Sequence, residues 1–438
     1  MGASTLPLAA STLRRHSSPM EISGRRESRI ERWIVWSLVL FLLVFPKGGV
    51  KIAGVPLTWG YVLLALSTLP FFVQLVLGGQ MRMAPLRLAA ISALVPFQLV
   101  VWSALLLHGS NGTGFAVSLV VSFFFIPFAF LLALGVYLDR MQLAHLFRLL
   151  RLGIVLIAIY GIFLFVYKLK TGHFIEIPYL TVNAGDVGGL EDKYINRGGI
   201  FKLISTYNNG NIYGVSLLLL LPLYTWLEKS HLRQGIVKAS LVLTLSRTVW
   251  VGLVLYEVLQ RVYVRRVSAR ALALLGVALV MLALGVGYVM TLIGSDFSFL
   301  LDRNLGGRLG QLGALETAGL LSSQPFEAIY EIVYLSMLQT FGLFGLVAFL
   351  LAMGLPVWLH LMGAVPFAGS VYKRNLAAGL MTYLVISMSD GALLFIPVMA
   401  FYWFVVSLLL SDNPSFLAIG VRDGEGTDGS AVPVAPEI

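Results

Sequence analysis

Apolar residues in this chain occur in long continuous runs, not in short alternating segments. Runs near 20 residues are long enough for an α-helix to cross a bilayer, whereas membrane β-strands alternate over about ten residues. The pattern therefore predicts an all-α polytopic membrane protein. The first six predicted spans are Trp33 to Phe45, Val55 to Leu77, Leu88 to Leu107, Phe115 to Leu138, Leu152 to Tyr167 and Asn211 to Leu227.

Later stretches decide how often the chain crosses the membrane. Ala271 to Ile293 and Tyr330 to Leu359 each fit one span. Asn375 to Leu410 would be about 54 Å long as a single helix, against a hydrocarbon core of about 30 Å. It therefore predicts a helical hairpin that turns at residues 389–391.

Arg247 interrupts the apolar stretch Ile236 to Leu259 near its middle. An unpaired guanidinium at the centre of a bilayer costs roughly 2.5 kcal/mol or more. If this stretch were one span and not two, every later segment would lie on the other side of the membrane. A helical hairpin turning at Ser246 and Arg247 instead places most lysines and arginines in the cytoplasm, which satisfies the positive-inside rule. We therefore predict the hairpin, about twelve spans in total and both termini in the cytoplasm.

This topology divides the chain into three parts. A basic cytoplasmic tail, residues 1–32, precedes the transmembrane domain, residues 33–412. The cytoplasmic tail 413–438 has a composition typical of disordered segments. Two long loops, at about 168–205 and 294–329, are predicted to face the periplasm.

Composition excludes several functional classes. Only 12% of residues are charged, against about 25% in soluble domains. The absence of cysteine excludes thiolate chemistry, and the six histidines lack metal-ligand spacing, so we expect no metal and no cofactor. The net charge of +10 comes from basic residues beside the spans, so nucleic acid is not an expected partner.

Cationic side chains collect in the two periplasmic loops, although such loops are usually poor in lysine and arginine. They are Lys168, Lys170, Lys193, Arg197, Lys202, Arg303 and Arg308. We expect an anionic ligand there. Arg247 is placed to reach a lipid-borne diphosphate, since guanidinium groups bind phosphate bidentately. For Lys168 and Lys170, snorkelling to lipid headgroups is the simpler interpretation.

Glu331 stands where the second loop meets the next apolar stretch. Its carboxylate is either a general base or a first-turn residue favoured by the helix dipole. Tyr330 adjoins it, and Tyr334 lies three residues on, on the same helical face, as a sugar-stacking candidate.

Further polar candidates stand at predicted span ends. Asn208, Asn209 and Asn211 either bond sugar hydroxyls or cap a helix. Asp390 is either an Asx-turn residue or a charge partner for an arginine.

Three local patterns follow one another in the second half of the chain. They are T-L-S-R-T-V-W-V-G-L from Thr244, G-G-R-L-G-Q-L-G-A-L-E from Gly306, and E-I-V-Y-L-S-M-L-Q-T-F-G-L-F-G-L from Glu331. In this order they resemble the bacterial O-antigen ligase and surface polysaccharide polymerase superfamily: its Ser-Arg turn, the arginine segment of its main periplasmic loop, and the span after that loop. The likeness covers roughly Asn208 to Leu410.

The resemblance implies a metal-independent glycosyltransferase of the bacterial inner membrane that uses undecaprenyl-pyrophosphate-linked sugars at the periplasmic face. It implies that Arg247 and Arg308 hold the pyrophosphate and that Glu331 lies beside the acceptor hydroxyl. In the ligases the third pattern commonly begins with histidine, so Glu331 favours a polymerase. Substrate contacts are also expected from Arg303, Arg197, Lys202, Asn208, Tyr330 and Tyr334.

We therefore expect a polymerase that transfers a glycan chain from undecaprenyl pyrophosphate onto a lipid-linked repeat unit. Its expected partners are these lipid-linked oligosaccharides and membrane lipids. A chain-length regulator protein is a further candidate partner. One alternative is an O-antigen ligase that delivers glycan to lipid A core. A transporter of lipid-linked sugars is the alternative from another class. Transporters place charged residues near the bilayer midplane between repeats, whereas here the charged residues are predicted to lie towards one face.

Overall fold

The computed structural model describes residues 28–52, 55–78, 83–183, 188–190, 196–197, 200–266, 276–277, 281, 313, 315, 318–321, 325–326, 329 and 331–415. Within these residues the chain is mostly helical. The helices are α1 Arg29–Val39, α2 Trp59–Val76, α3 Pro85–His108, α4 Gly114–Leu138, α5 Leu143–Thr171, α6 Gly210–Leu227, α7 His231–Val242, α8 Arg247–Leu259, α9 Val333–Leu361, α10 Val371–Ile386 and α11 Ile396–Leu410. Short π-helical segments extend α1 to Val44 and α8 to Val264.

Six of the described helices, α2 to α6 and α9, are long and apolar enough to cross a membrane. The protein is therefore membrane-embedded and all-α in its main architecture. Most of the predicted span Ala271 to Ile293 lies outside the described residues, as do the N-terminal tail up to residue 27 and most of the loop 294–329. The number of twelve spans and their sidedness stay predictions.

Helices α6 and α11 form the centre of the bundle. Every residue of α11 from Pro397 to Leu410 is buried, and so is every residue of α6 from Ile212 to Tyr224. α6 packs against α10 and α11. The backbones of α6 and α10 approach closely at Gly379, where a Cβ atom would clash with the Leu219 carbonyl oxygen. Small residues permit such packing in membranes, where burial of apolar area drives little association.

The stretch around Arg247 is divided into two helices, as the hairpin prediction requires, but the break covers residues 243–246 and Arg247 is already helical. α7 ends at Val242, and α8 begins at Arg247 with Ser246 as its N-cap residue. The Lys238 Nζ and Glu257 Oε1 atoms form an ion pair of 2.6 Å between the two helices. A continuous helix would separate these residues by about 28 Å, so the chain folds back between α7 and α8.

The last apolar stretch also reverses direction as predicted, with residues 387–395 between α10 and α11. This turn lies at the same end of the bundle as the turn 243–246 and the start of α6. We call this the site end. The opposite end holds the start of α10 and the end of α11.

A β-hairpin occupies the site end where we predicted the start of a span. β1 Gly49–Ile52 pairs antiparallel with β2 Val55–Thr58, so the second helix begins at Trp59 and not at Val55. Pro56 explains the difference, because the residue before a proline is driven into extended conformations.

Lys168 does not snorkel to headgroups, because it lies within α5 and is only 3% exposed. Its Nζ donates to the Gly172 carbonyl oxygen and lies 4.6 Å from the Phe174 ring centroid and 4.7 Å from that of Phe201. Aromatic faces stabilise a desolvated ammonium group. The side chain therefore closes the end of α5 against the following loop.

The opposite end contains a buried ion pair between α3 and the end of α4. Arg87, which is 1% exposed, contacts Asp139 through two bonds: Nη2 to Oδ1 at 2.6 Å and Nε to Oδ2 at 3.2 Å. The Nη1 atom of Arg87 donates to the Ser407 hydroxyl of α11 at 2.5 Å. One guanidinium therefore joins three helices.

The end of α11 is fixed by two further side chains. Lys373 donates to the carbonyl oxygens of Leu408, Leu409 and Ser411 at 3.0, 2.7 and 2.6 Å. Asn413 is buried and donates to the carbonyls of Leu138 and Met141. The predicted disordered tail therefore does not begin at Asn413; residues 416–438 lie outside the described part.

Gly342 interrupts α9 with a φ of 72° and a ψ of −175°. The backbone amides of Leu343 and Phe344 lose their helical partners there. They donate instead to the carbonyl oxygens of Gly319 at 3.0 Å and Leu320 at 3.2 Å. An L-residue side chain is strained in this conformation, so glycine is required at the break.

Gly342→Ala should lower the free energy of unfolding by about 1–3 kcal/mol, because the added Cβ is strained and meets the Leu320 backbone. Gly354→Ala is the matched control: Gly354 lies in the same helix with open space around it, so alanine should be neutral or stabilising by up to about 1 kcal/mol. Denaturant titration of the purified protein in detergent measures both. Equal stability of the two variants would contradict the strained break.

Candidate active site

A cavity of about 270 Å³ lies at the site end. Among the described residues its walls are mainly apolar, but Lys47, Glu331 and Asp390 bring charges to it, and Thr58 and Tyr61 add hydroxyl groups. A concave apolar pocket with a few convergent polar groups is the usual form of a ligand site.

Asp390 is held between the α10–α11 turn and the start of α6. Its Oδ1 accepts a hydrogen bond from the Ala392 amide at 3.3 Å, which is the predicted Asx turn. Its Oδ2 accepts from Asn211 Nδ2 at 2.7 Å. Asn209 caps α6, accepting from the amides of Asn211 and Ile212. The cap and the turn thus fix this buried carboxylate from two sides.

Glu331 precedes α9 by two residues, so it is not the first-turn residue that the helix-dipole interpretation required. Its backbone carbonyl accepts from the Gly391 amide at 3.4 Å, and the Val333 amide donates to the Ser387 carbonyl at 3.2 Å. These bonds tie the entry to α9 to the turn that holds Asp390. Glu331 itself is exposed and lines the cavity.

Arg247 is half-buried at the first position of α8. The hydroxyl of its neighbour Thr248 lies 3.3 Å from the hydroxyl of Ser389, the residue before Asp390. The start of α8 is therefore in contact with the turn between α10 and α11. A helix N-terminus carries partial positive charge that attracts anions, and the guanidinium adds a full charge at the same point.

Lys202 also lies beside this junction. The amide of Leu203 donates to the Leu243 carbonyl at 3.0 Å, which places the half-buried Lys202 next to the turn 243–246. Arg197 lies five residues earlier in the chain, in the strand β3 Asn196–Arg197, which pairs with β4 Ile200–Phe201.

Two predicted sugar contacts make hydrogen bonds within the protein. The Asn208 side-chain amide donates to the Thr181 carbonyl. The Tyr334 hydroxyl donates to the Leu384 carbonyl at 2.5 Å, and its ring packs on Phe349 with centroids 6.2 Å apart. Neither residue lines the cavity. Three predicted residues lie outside the described part of the chain: Arg303, Arg308 and Tyr330.

Lys47 is the charged residue in the described lining of the cavity that the sequence did not predict. It stands in the short break F-P-K-G-G between the first two apolar runs, and its Nζ lies 5.8 Å from the Phe395 ring centroid. A lone lysine at the end of a span is already explained by the positive-inside rule, so the sequence offered no reason to choose it. Lys47 becomes a cavity residue because the α10–α11 turn packs beside it.

Neither a search with protein-family models nor a search of curated proteins gives a match to this chain.

Proposed function

We propose that this chain is a polymerase of a bacterial surface polysaccharide, acting at the periplasmic face of the inner membrane. It transfers a glycan chain from undecaprenyl pyrophosphate onto a lipid-linked repeat unit. One observation carries the proposal: the contact between the turn at Arg247 and the turn at Asp390, beside a cavity that Glu331 also lines. This arrangement offers cations and a carboxylate at one end of a membrane-embedded bundle.

The reaction needs both kinds of group. The acceptor hydroxyl oxygen bonds to C1 of the donor sugar while the bond from C1 to the pyrophosphate oxygen breaks. Negative charge grows on the leaving diphosphate, where Arg247 and the N-terminus of α8 stabilise it. The proton of the acceptor hydroxyl passes to the Glu331 carboxylate.

The remaining charged residues take supporting roles in this proposal. Asp390 is buried and accepts two hydrogen bonds, so in this proposal it positions the turn and the acceptor, while the exposed Glu331 takes the role of the base. Lys47 adds positive charge at the cavity for a donor phosphate. Arg308 joins Arg247 as the second guanidinium on the strength of the sequence resemblance.

The direct test supplies the purified full-length chain with lipid-linked repeat units in nanodiscs and separates the products by size. We expect a ladder of lengthened lipid-linked glycans that persists with a chelator present. A second reaction adds lipid A core as the acceptor. Transfer to the core without a ladder would replace the polymerase with a ligase, and no transfer to either acceptor would overturn the glycosyltransferase proposal.

Arg247→Ala should lower the rate of lengthening by roughly 10²–10³-fold, because a fixed donor to the developing anion is lost. Arg247→Lys should recover only part of the rate, since an ammonium group lacks the bidentate geometry. Arg233→Ala is the control: this half-exposed arginine pairs with Glu228 at the opposite end. An unchanged rate in folded Arg247→Ala protein would remove Arg247 from the mechanism.

A further inference from the structure

A second cavity, of about 540 Å³, lies at the opposite end of the bundle, where α6 and α8 end and α10 begins. Its charged lining residues in the described part of the chain are all arginines: Arg265, Arg266 and Arg374. No described aspartate or glutamate lines it or forms an ion pair with these three side chains. The cavity therefore concentrates positive charge.

Buried polar groups in the cavity lining lack partners among the described residues. Gln260 is 6% exposed; its Nε2 donates to Asn375 Oδ1 at 2.9 Å, but its Oε1 accepts no hydrogen bond there. Arg374 Nη1 donates to the Val264 carbonyl at 2.8 Å, while its buried Nε is equally unpaired in this part of the chain. Such groups are costly to leave unpaired, so a bound molecule that accepts from Arg374 and donates to Gln260 would be stabilised.

The backbone keeps the other two arginines at the cavity. α8 ends in a π-helical segment, after which Arg266 adopts a left-handed φ of 53°. A side chain other than glycine adopts this conformation infrequently. Because the chain leaves the helix here, Arg265 and Arg266 stay exposed at the cavity. The result is a buried amide floor with a cationic rim.

We propose that this arginine cavity binds a phosphate group with a neighbouring hydroxyl, as the headgroup of phosphatidylglycerol presents it. Guanidinium groups match phosphate oxygens bidentately, and the Gln260 oxygen can accept from the hydroxyl. The cavity lies at helix ends, the level of lipid headgroups, and Trp226 in its lining is a residue type enriched at that level. Basic pockets between membrane helices bind anionic lipid headgroups in this way.

The site is independent of the proposed glycan transfer, which takes place at the other end of the bundle. Its test therefore measures binding and not activity. Lipid-stripped, full-length protein is titrated with phosphatidylglycerol or phosphatidylcholine, and bound lipid is counted by native mass spectrometry. A parallel titration uses inorganic phosphate alone, which separates a lipid source of the phosphate group from a soluble one.

The informative variant is Arg265→Gln with Arg266→Gln, because both side chains are exposed and the fold should persist. Phosphatidylglycerol should bind the unchanged protein more tightly than phosphatidylcholine. The double variant should lose roughly 25-fold in affinity for it, about fivefold for each arginine. Arg233→Gln, at the same end but outside the cavity, should change affinity by less than about twofold.

Two results would overturn the site: full phosphatidylglycerol affinity in the folded double variant, or an equal loss in Arg233→Gln. Binding of inorganic phosphate that also depends on Arg265 and Arg266 would support the phosphate site and assign it a soluble ligand. Binding of phosphatidylglycerol without binding of phosphate would support the lipid headgroup.

Discussion

Glu331→Gln should lower the rate of glycan lengthening by roughly 10²–10⁴-fold, the usual contribution of a positioned general base. Glutamine preserves the size of the side chain but cannot take up the acceptor proton. Because Glu331 is exposed and its backbone carbonyl bonds the α10–α11 turn whichever side chain is present, the substitution should leave the fold intact. The rate is measured as the first appearance of a doubled repeat unit.

The control for this loss is Asp412→Asn, which removes an exposed carboxylate beyond the end of α11 at the opposite end. It should lengthen glycans at the unchanged rate. A normal rate in Glu331→Gln protein, with an unchanged thermal midpoint, would show that another group accepts the proton. Asp390 would then be the next residue to test, since it lines the same cavity.

Asp139→Asn should lower the free energy of unfolding by about 3–5 kcal/mol. The expected loss is large because Arg87 is 1% exposed and would keep its charge without a counter-charge. The Ser407 hydroxyl alone cannot neutralise the guanidinium. Denaturant titration in detergent gives the change in unfolding free energy.

A double variant separates the cost of an unpaired charge from the loss of the pair itself. Arg87→Met with Asp139→Leu should recover most of the stability, since apolar replacements of buried pairs are often neutral. Glu257→Gln is the matched control, because the Lys238–Glu257 pair is more exposed and should contribute only about 0.2–1 kcal/mol. A loss in Asp139→Asn no larger than in this control would contradict the buried-charge argument.

The apolar pattern was enough to predict the long membrane-spanning helices of the described chain. Runs of apolar residues set the helices α2 to α6 and α9 because a bilayer fixes the length of a spanning helix. The reversal before Arg247 followed from two simple physical costs: a guanidinium is expensive in hydrocarbon, and lysine and arginine favour the cytoplasmic side. Both arguments use only position along the chain.

Which side chains meet depends on how segments distant in the chain pack together. Lys47 and Glu331 are far apart in sequence, and only the packing of the β-hairpin and the α10–α11 turn brings them to one cavity. The same holds for the Asn211–Asp390 bond. Lys168 is an example in which the sequence position misled. Its place in the chain fitted a lysine that reaches lipid headgroups, but it packs against two aromatic rings. Hydropathy reports how a residue partitions between water and lipid, whereas its partners depend on contacts between segments distant in the chain.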